Sequence, residues 1–234
     1  MDWSDDGLLG KLPGAQLERS LYVKVNKALE SMGGKWNRKS GGHVFGKDPR
    51  SEVEGLIESG TIELERDGFF ETPRAVVDRM LELVPLPVGA FVLEPSAGMG
   101  AIAKVLRECG GSVNIWCVEK NDDRALKLRD WFGDVFCCDF LTWEPKERFT
   151  HVYMNPPFEN LQDVDHVMHA YDLLEDGGTL VSVMAESAFF RNDNKASLFR
   201  SWAFSNDIYT EQLPEGSFKE SGTGVNTRLI VAYK

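Results

Sequence analysis

Apolar residues in the first quarter of the chain follow a helical period and then give way to a turn-rich stretch. In LYVKVNKALESM they recur three or four positions apart, which predicts a helix that Gly33-Gly34 would end. WNRKSGGHVF then predicts a short hairpin around Gly41-Gly42. Asp48-Pro49 predicts the cap and first residue of a second helix, which would end near Gly60.

From residue 67 onward, short apolar runs alternate with longer amphipathic stretches. The runs are rich in β-branched and aromatic residues, as strands are, and the stretches between them repeat with the period of a helix. The predicted strands cover residues 91–95, 114–119, 134–139, 150–155, 179–185, 208–213 and 227–233. The predicted helices cover residues 73–84, 101–109, 123–132, 164–174 and 194–204.

Strands that alternate with helices in this way form a parallel sheet with helices on both faces. We therefore predict an α/β fold for residues 67–234, a Rossmann-like, doubly wound, seven-stranded and mostly parallel sheet. No helix separates the last two strands, so an antiparallel pair is expected at one edge. Residues 15–66 are expected to form a small, basic α+β unit, and residues 1–14 a loose acidic leader.

Charge is unevenly distributed along the chain. The formal net charge of −11 argues against a protein that coats nucleic acid through charge alone. Between Arg19 and Arg50, however, eight basic residues stand against two acidic ones, a local balance of +6. One interpretation is a nucleic-acid-facing N-terminal unit with Lys35, Arg38 and Lys39 as contacts, and the other is an ordinary solvated charged face.

The composition argues against several other classes of protein. No apolar run reaches the ~18 residues of a membrane span. MDWSDDGLLG lacks the basic and apolar regions of a signal peptide, so we expect a cytoplasmic protein without a membrane partner. The cysteines have no C-x-x-C spacing and no suitably spaced histidines, which indicates neither a metal site nor a disulfide framework. They are Cys109, Cys117, Cys137 and Cys138.

A glycine-containing turn follows the first predicted strand of the sheet, at the edge where ligands collect in such folds. Its glycines would let a ligand approach backbone N–H groups, so we expect a small cofactor there, although an ordinary tight turn has the same pattern. The spacing differs from the dinucleotide G-x-G-x-x-G, and no Lys-Ser/Thr follows to make a phosphate loop. The candidate residues in FVLEPSAGMGAIAKVL are Glu94, Pro95, Ser96, Gly98 and Gly100.

Acidic residues stand at the ends of the next two strands. Glu119, in CVEKND, is placed to accept hydrogen bonds from both ribose hydroxyls of a nucleoside. Asp139, in CCDF, could accept from an exocyclic amine, and Phe140 could cover an adenine face. Either acid alone is more often a helix cap or a solvated loop residue, but their joint occurrence after successive strands favours a nucleoside-containing ligand.

The sequence THVYMNPPFEN ends the fourth predicted strand abruptly. Proline has no N–H to donate, and the residue before a proline is pushed toward extended backbone. Asn155-Pro156-Pro157 must therefore leave the sheet as a stiff loop, which together with Phe158 is the candidate catalytic site. Taken alone, the same motif is also typical of a strand-terminating turn with a buried phenylalanine.

In this order, the motifs resemble those of class I S-adenosylmethionine-dependent methyltransferases, and with NPPF they resemble the N6-adenine DNA methyltransferase group. The resemblance covers most of the chain from residue 67, and GGKWNRKSGGHVF looks like an extension of phage and prophage members. It implies S-adenosylmethionine as the cofactor, with FFETP (residues 69–73) around its methionine part. The cofactor-binding residues that it implies are Phe70, Thr72, Pro73, Glu94, Pro95, Ser96, Gly98, Gly100, Glu119, Asp139, Phe140 and Asn155.

The reaction that the resemblance implies is methyl transfer to the N6 amino group of adenine in DNA. The Asn155 side-chain oxygen and the Pro156 carbonyl would accept the two amino hydrogens, and Phe158 would stack on the base. A base inside a duplex would have to be flipped out first. Related enzymes carry an aromatic that sandwiches the flipped base where this chain has residues 213–227, so Phe218 is the candidate, and packing of that loop is the alternative.

Two other functions remain open at this level. An RNA adenine or a protein glutamine amide presents the same two hydrogens to Asn155, and a nucleic-acid-binding module could keep a degenerate methyltransferase fold. Only 76 of the 234 residues follow Phe158, and the last strands need nearly all of them. Recognition of the DNA sequence is therefore expected to be short or loose.

Overall fold

The computed structural model describes residues 2–12, 19–46, 48–51, 53–54, 70–109, 111–219, 221 and 223–234. The chain forms two compact units, residues 1–66 and residues 67–234. No helix in these described ranges is both long and apolar enough to cross a membrane.

In its described residues, the N-terminal unit contains a four-stranded antiparallel sheet and a helix. The strands follow the order β1-β2-β4-β3, so β3 is the edge strand of this described sheet, with β4 as its neighbour. The predicted helix and hairpin are both present, as α1 and as β3–β4. The bounds are β1 Asp2–Trp3, β2 Leu9–Lys11, α1 Arg19–Ser31, β3 Lys35–Asn37 and β4 Gly42–Val44.

The expectation of a loose acidic leader is wrong for residues 2–12. These residues form β1 and β2, and β2 pairs with β4 of the hairpin. Of its acidic residues, Asp2 lies in β1, and Asp5 and Asp6 lie in the turn between the two strands, where Asp6 accepts hydrogen bonds from Ser4 and from the Leu8 N–H. Residues 50, 51, 53 and 54 are helical, and residues 55–60 of the predicted second helix lie outside the described residues.

Seven strands form the sheet of the second unit, which confirms the predicted fold class. The strands are β5 Phe91–Pro95, β6 Asn114–Glu119, β7 Asp134–Cys137, β8 Phe149–Met154, β9 Leu174–Ala185, β10 Tyr209–Gln212 and β11 Thr227–Tyr233. The helices are α2 Arg74–Leu83, α3 Ala101–Cys109, α4 Asp122–Leu128, α5 Gln162–Asp172, α6 Ser187–Phe190 and α7 Asn194–Ser205.

The order of the strands places two of the predicted motifs side by side. The sheet runs β10-β11-β9-β8-β5-β6-β7, with β5 to β9 parallel and β11 antiparallel to both of its neighbours. From β5 the chain moves outward through β6 and β7 and then returns to β8 on the other side of β5. The glycine turn after β5 and Asn155 after β8 therefore flank the point where the strand order reverses, which is the ligand position in such sheets.

Side chains along each strand alternate between the two faces of the sheet, and each face packs into its own apolar core. Val92 of β5 and Tyr153 of β8 pack into one apolar cluster, whereas their neighbours Leu93 and Met154 pack into the other. Helices cover both faces, so these central strands are apolar on both sides. One strand is longer than predicted: β9 begins at Leu174, which pairs with Phe149 at the start of β8. The EDGG segment, which is typical of a turn, lies in the register shift that follows, where Gly177 and Gly178 exchange backbone hydrogen bonds with Lys234.

Candidate active site

The glycine turn after β5 has a backbone that few residues other than glycine adopt. Ser96, Gly98 and Gly100 have φ angles of 58°, 57° and 76°. A Cβ on Gly100 would lie 2.7 Å from a methyl group of Leu128, so the last glycine also permits close packing against α4. A non-glycine residue at positive φ is uncommon, and such strained positions concentrate at functional sites.

Glu94, at the end of β5, is buried and hydrogen-bonds to the helix that follows this turn. The side chain is 3% exposed, and its Oε2 accepts a hydrogen bond from the Ala103 N–H at 2.7 Å. Burial raises the pKa of Glu94 to about 8, although hydrogen bonds from the first turn of α3 oppose the shift. Its hydrogen bonds therefore cap α3, the helix that follows the glycine turn.

Glu119, the expected ribose acid, already has several protein partners. Its Oε1 accepts from the Asn121 N–H at 2.8 Å and from two nitrogens of Arg124 at 2.8 and 3.1 Å. Its Oε2 accepts from the Gly98 N–H at 2.7 Å. The side chains of the ion pair are 5% exposed for Glu119 and 17% exposed for Arg124. Glu119 thus ties the glycine turn to the start of α4, with Oε2 as its less occupied oxygen.

Asp139 and Phe140 follow β7, as predicted, but they have different surroundings. Asp139 Oδ1 accepts from the Leu141 N–H, and Oδ2 lies 2.8 Å from Lys120 Nζ. The hydrogen bond from Lys120 is the main reason that the pKa of Asp139 is lowered. Phe140 is 3% exposed and packs in the core against His169, so its ring offers little face to a ligand.

Asn155 leaves β8 with its amide held by the segment before α2. Its Nδ2 donates to the Phe70 carbonyl at 3.2 Å and to Thr72 Oγ1 at 3.0 Å. Its Oδ1 is buried and has no hydrogen-bond partner in the described part of the chain. FFETP and NPPF, which are about 80 residues apart in sequence, therefore meet at one site; Phe69 itself lies outside the described residues.

The rest of the two motifs frames this amide. Pro73 precedes α2 in extended conformation, with φ −60° and ψ 142°, which suits the residue that starts a helix. Pro156 is buried, Pro157 is half-buried, and Phe158 is half-buried against the core. The loop is thus packed against the sheet.

Phe218 does not fit the stacking role. Its ring is 1% exposed and belongs to the core cluster on the Val92 face of the sheet, which favours the alternative that it packs the loop. Lys35, Arg38 and Lys39 lie in the N-terminal unit, and all three are exposed.

Sequence reasoning missed two residues that shape the site. Arg124 lies five positions after Glu119, close enough to pair from the first turn of α4, and this spacing is a signal that could have been used. Asp163 is fully buried at the start of α5 and accepts from the Ala185 N–H at 2.9 Å, which links the segment after NPPF to the end of β9. Burial raises the pKa of Asp163 to about 6. No spacing in the sequence indicates that contact.

No model of a known protein family matches the chain. Over 91 residues, 39% of this chain, the sequence is 37% identical to the type II methyltransferase M.TthHB8I of Thermus thermophilus. The match spans about a fifth (21%) of the length of that relative.

Two solved structures illustrate the fold. A protein assigned as a modification subunit of a type I restriction enzyme from Vibrio vulnificus aligns with 83% of this chain and 51% of its own, with a TM-score of 0.60 and 18% identity. A protein assigned to the class I S-adenosylmethionine-dependent methyltransferases from Listeria monocytogenes aligns with 80% of this chain and 68% of its own, with a TM-score of 0.57 and 13% identity. At these identities the shared property is the fold, which agrees with the predicted resemblance.

Proposed function

We propose that this chain, which has the fold of class I S-adenosylmethionine-dependent methyltransferases, transfers a methyl group from S-adenosylmethionine to the N6 amino group of adenine in DNA. The orientation of the Asn155 amide carries the proposal. Both hydrogens of its NH₂ group are engaged, by the Phe70 carbonyl and by Thr72 Oγ1. A carbonyl oxygen can only accept, so the contact with Phe70 decides which end of the amide is nitrogen.

An amide held in this way can only accept a hydrogen bond from a substrate. Its buried Oδ1 has no partner among the residues that the structure describes. A ligand that covered this acceptor without pairing it would cost about 1–3 kcal/mol, whereas a substrate N–H would pair it. The substrate group should therefore be a donor, as an exocyclic amino group is.

Methyl transfer to an amino group is favoured by two hydrogen-bond acceptors, one for each hydrogen of the amino nitrogen. The amino nitrogen of adenine is a poor nucleophile because its lone pair is delocalised into the ring. Asn155 Oδ1 and the Pro156 carbonyl would accept its two hydrogens, favour tetrahedral geometry and stabilise the positive charge that develops on the nitrogen. Within the described ranges, no N–H donates to the Pro156 carbonyl. Phe158 would stack on the base, and the proton would leave to water.

Some of the residues near the point where the strand order reverses could bind a nucleoside-containing cofactor. When bound, S-adenosylmethionine supplies an electrophilic methyl group on a sulfonium sulfur. Glu119 Oε2 accepts one hydrogen bond at present and retains capacity for a ribose hydroxyl. Asp139 pairs with Lys120, whose side chain is 75% exposed, so this surface contact can be exchanged for one to an adenine amine. Phe70 and Thr72, beside Asn155, would surround the methionine part.

Two observations support DNA as the substrate. The curated relative is a type II methyltransferase, and one structural neighbour is assigned as a modification subunit of a restriction enzyme. Lys35, Arg38 and Lys39 of the N-terminal unit are exposed and would contact phosphates. An RNA adenine or a glutamine amide would satisfy Asn155 equally, so the choice among them needs a direct assay.

Transfer of a labelled methyl group to DNA, RNA and a glutamine-containing peptide tests the proposal. We expect label in DNA, recovered as N6-methyladenine by mass spectrometry of the nucleosides. Asn155→Ala should lower kcat by about 10²–10³-fold, as loss of a positioned hydrogen-bonding group at a developing charge does. Asn114→Ala is the matched control, because Asn114 is exposed and begins β6, at the end of the strand opposite to Glu119.

Three other outcomes would contradict parts of the proposed function. Label in RNA or peptide alone would replace DNA by one of those substrates. Cofactor binding without transfer to any of the three would favour a non-catalytic module, and full activity of Asn155→Ala would remove the mechanism.

A further inference from the structure

An exposed tryptophan lies on the edge strand of the N-terminal sheet. Every residue of β3 is exposed, and so are Arg38 and Lys39 in the turn that follows. Trp36 leaves 48% of its surface exposed. A single exposed apolar side chain is ordinary in itself, so the surroundings of the ring decide whether it has a role.

The ring of Trp36 packs against a buried histidine. It lies edge-on to His43, its cross-strand partner in β4, with ring centroids 5.2 Å apart and an interplanar angle of 67°. His43 is fully buried, and its Nε2 lies 2.8 Å from Asn26 Oδ1 of α1. Asn26 in turn donates through Nδ2 to Glu30 at 2.7 Å, which fixes its orientation. A ring supported in this way loses little freedom when a ligand stacks on it.

Basic residues neighbour Trp36 in sequence, on β3 and in the turn that follows it. Residues 31–46 contain Lys35, Arg38 and Lys39 and no aspartate or glutamate. Nowhere in the described part of the chain does an acid form an ion pair with any of the three. Asn37 Oδ1 accepts the N–H groups of Lys39 and Ser40 at 2.9 and 3.1 Å, and so holds the turn that carries two of the cations.

Proteins bind single-stranded nucleic acid with basic residues that contact the phosphates and with exposed aromatic rings that stack on the bases. Inside a duplex each base face is already covered by its neighbours. We infer that Trp36 is a stacking site for an unpaired base, and that the partner of this surface is single-stranded or locally opened DNA. The inference rests on the proposed function only for its choice of DNA.

The test compares binding to a labelled single-stranded oligonucleotide and to its duplex, by fluorescence anisotropy with the full chain. Trp36→Leu keeps apolar bulk without a π face and should weaken single-strand binding by about 5- to 150-fold, the range that loss of one base stack implies. The duplex should be affected less, and Trp36→Phe should restore most of the affinity. Trp131→Leu is the control, because that tryptophan is 54% exposed in the other unit and should leave binding unchanged.

Salt dependence separates stacking from charge. Trp36→Leu should leave the slope of log affinity against log salt unchanged, whereas Lys39→Ala should reduce its magnitude by about 1. Equal losses on duplex and single strand, no loss with Trp36→Leu, or an equal loss with Trp131→Leu would overturn the inference. Methyl transfer is measured in parallel: at saturating DNA, Trp36→Leu should keep kcat and raise KM. Absence of transfer in every form, wild type included, would count against the proposed function and leave the binding result to decide the stacking site.

Discussion

Replacing Thr72 by valine removes one of the two acceptors that hold the Asn155 amide and keeps nearly the same side-chain shape. Thr72 Oγ1 lies 3.0 Å from Asn155 Nδ2, and Thr72 is only 7% exposed. The remaining contact, to the Phe70 carbonyl, is longer at 3.2 Å. With valine, one amide hydrogen loses its partner, so orientations in which Oδ1 turns away from the substrate become more populated.

The size of the effect follows from the strength of that hydrogen bond. A hydrogen bond between neutral groups contributes about 0.5–1.5 kcal/mol, and about 1.4 kcal/mol corresponds to a tenfold change in rate. If the whole loss appears in the positioning of Oδ1, kcat should fall about 2- to 13-fold. Asn155→Ala removes the acceptor itself, so its defect should be larger, about 10²–10³-fold.

Steady-state methyl transfer with both substrates saturating measures kcat, and calorimetric titration measures the cofactor Kd. Thr72→Ser is the matched control, because it keeps the hydroxyl group and should keep most of the rate. Wild-type kcat in Thr72→Val would show that Thr72 does not set the amide orientation. Equal losses in Thr72→Ser and Thr72→Val would assign the effect to the lost packing of a methyl group, and would equally refute the reasoning.

Three further predictions concern the residues around the site. Burial raises the pKa of Glu94 from its ordinary 4.5 to about 8, so folding favours the protonated form, and this stabilisation is complete below about pH 4.5 and lost as the pH rises through 8. Urea unfolding should show a free energy of unfolding that falls across that window by up to ~1.4 kcal/mol per pH unit, and Glu94→Gln should remove this part of the dependence. Phe218→Ala should destabilise the fold by about 3–5 kcal/mol in chemical denaturation, whereas Phe218→Leu should keep the methyl-transfer rate; a large loss of kcat in folded Phe218→Leu would restore its stacking role. Arg124→Gln leaves Glu119 without its charged partner and should cost about 3–5 kcal/mol of stability, and an unchanged urea midpoint would show that the pair is effectively solvated.

The strands of the sheet were predictable because their signal is local. Continuous apolar runs such as NIWCVE and TRLIVAY carry β-branched and aromatic residues, and both strands have the expected bounds. The missed elements are those whose partners lie elsewhere in the chain. β1 and β2 are short and partly polar, and they exist because β2 pairs with β4. The start of β9, with its turn-like EDGG segment, belongs to the strand because Leu174 pairs with Phe149 of β8 and because Gly177 and Gly178 hydrogen-bond with Lys234.

The position of the candidate site in the fold was predictable, because it follows from the local signals of the strands. The side-chain contacts within the site were not. Strand ends can be read from the sequence, and in a parallel sheet they meet at one edge, so Asn155 and the glycine turn could be assigned to one region. Burial of Phe218 and of Phe140 depends on tertiary packing, which local sequence does not encode. The sequence pattern therefore predicts ligand contacts for both phenylalanines, whereas the structure places them in the core.

Glu119 and Asn155 show why partner atoms matter more than residue types at this edge of the sheet. Glu119 Oε1 accepts from three N–H groups of Asn121 and Arg124, so this carboxylate oxygen is satisfied by the protein itself. Asn155 Oδ1 is buried and accepts from no group that the structure describes, while both of its amide hydrogens are engaged. A substrate N–H would pair this oxygen, whereas a ligand without a donor would cover it and leave it unpaired, at a cost in free energy. Substrate binding at Asn155 should therefore be selective for an N–H donor over an analogue of the same shape that lacks one, because only the analogue would pay that cost.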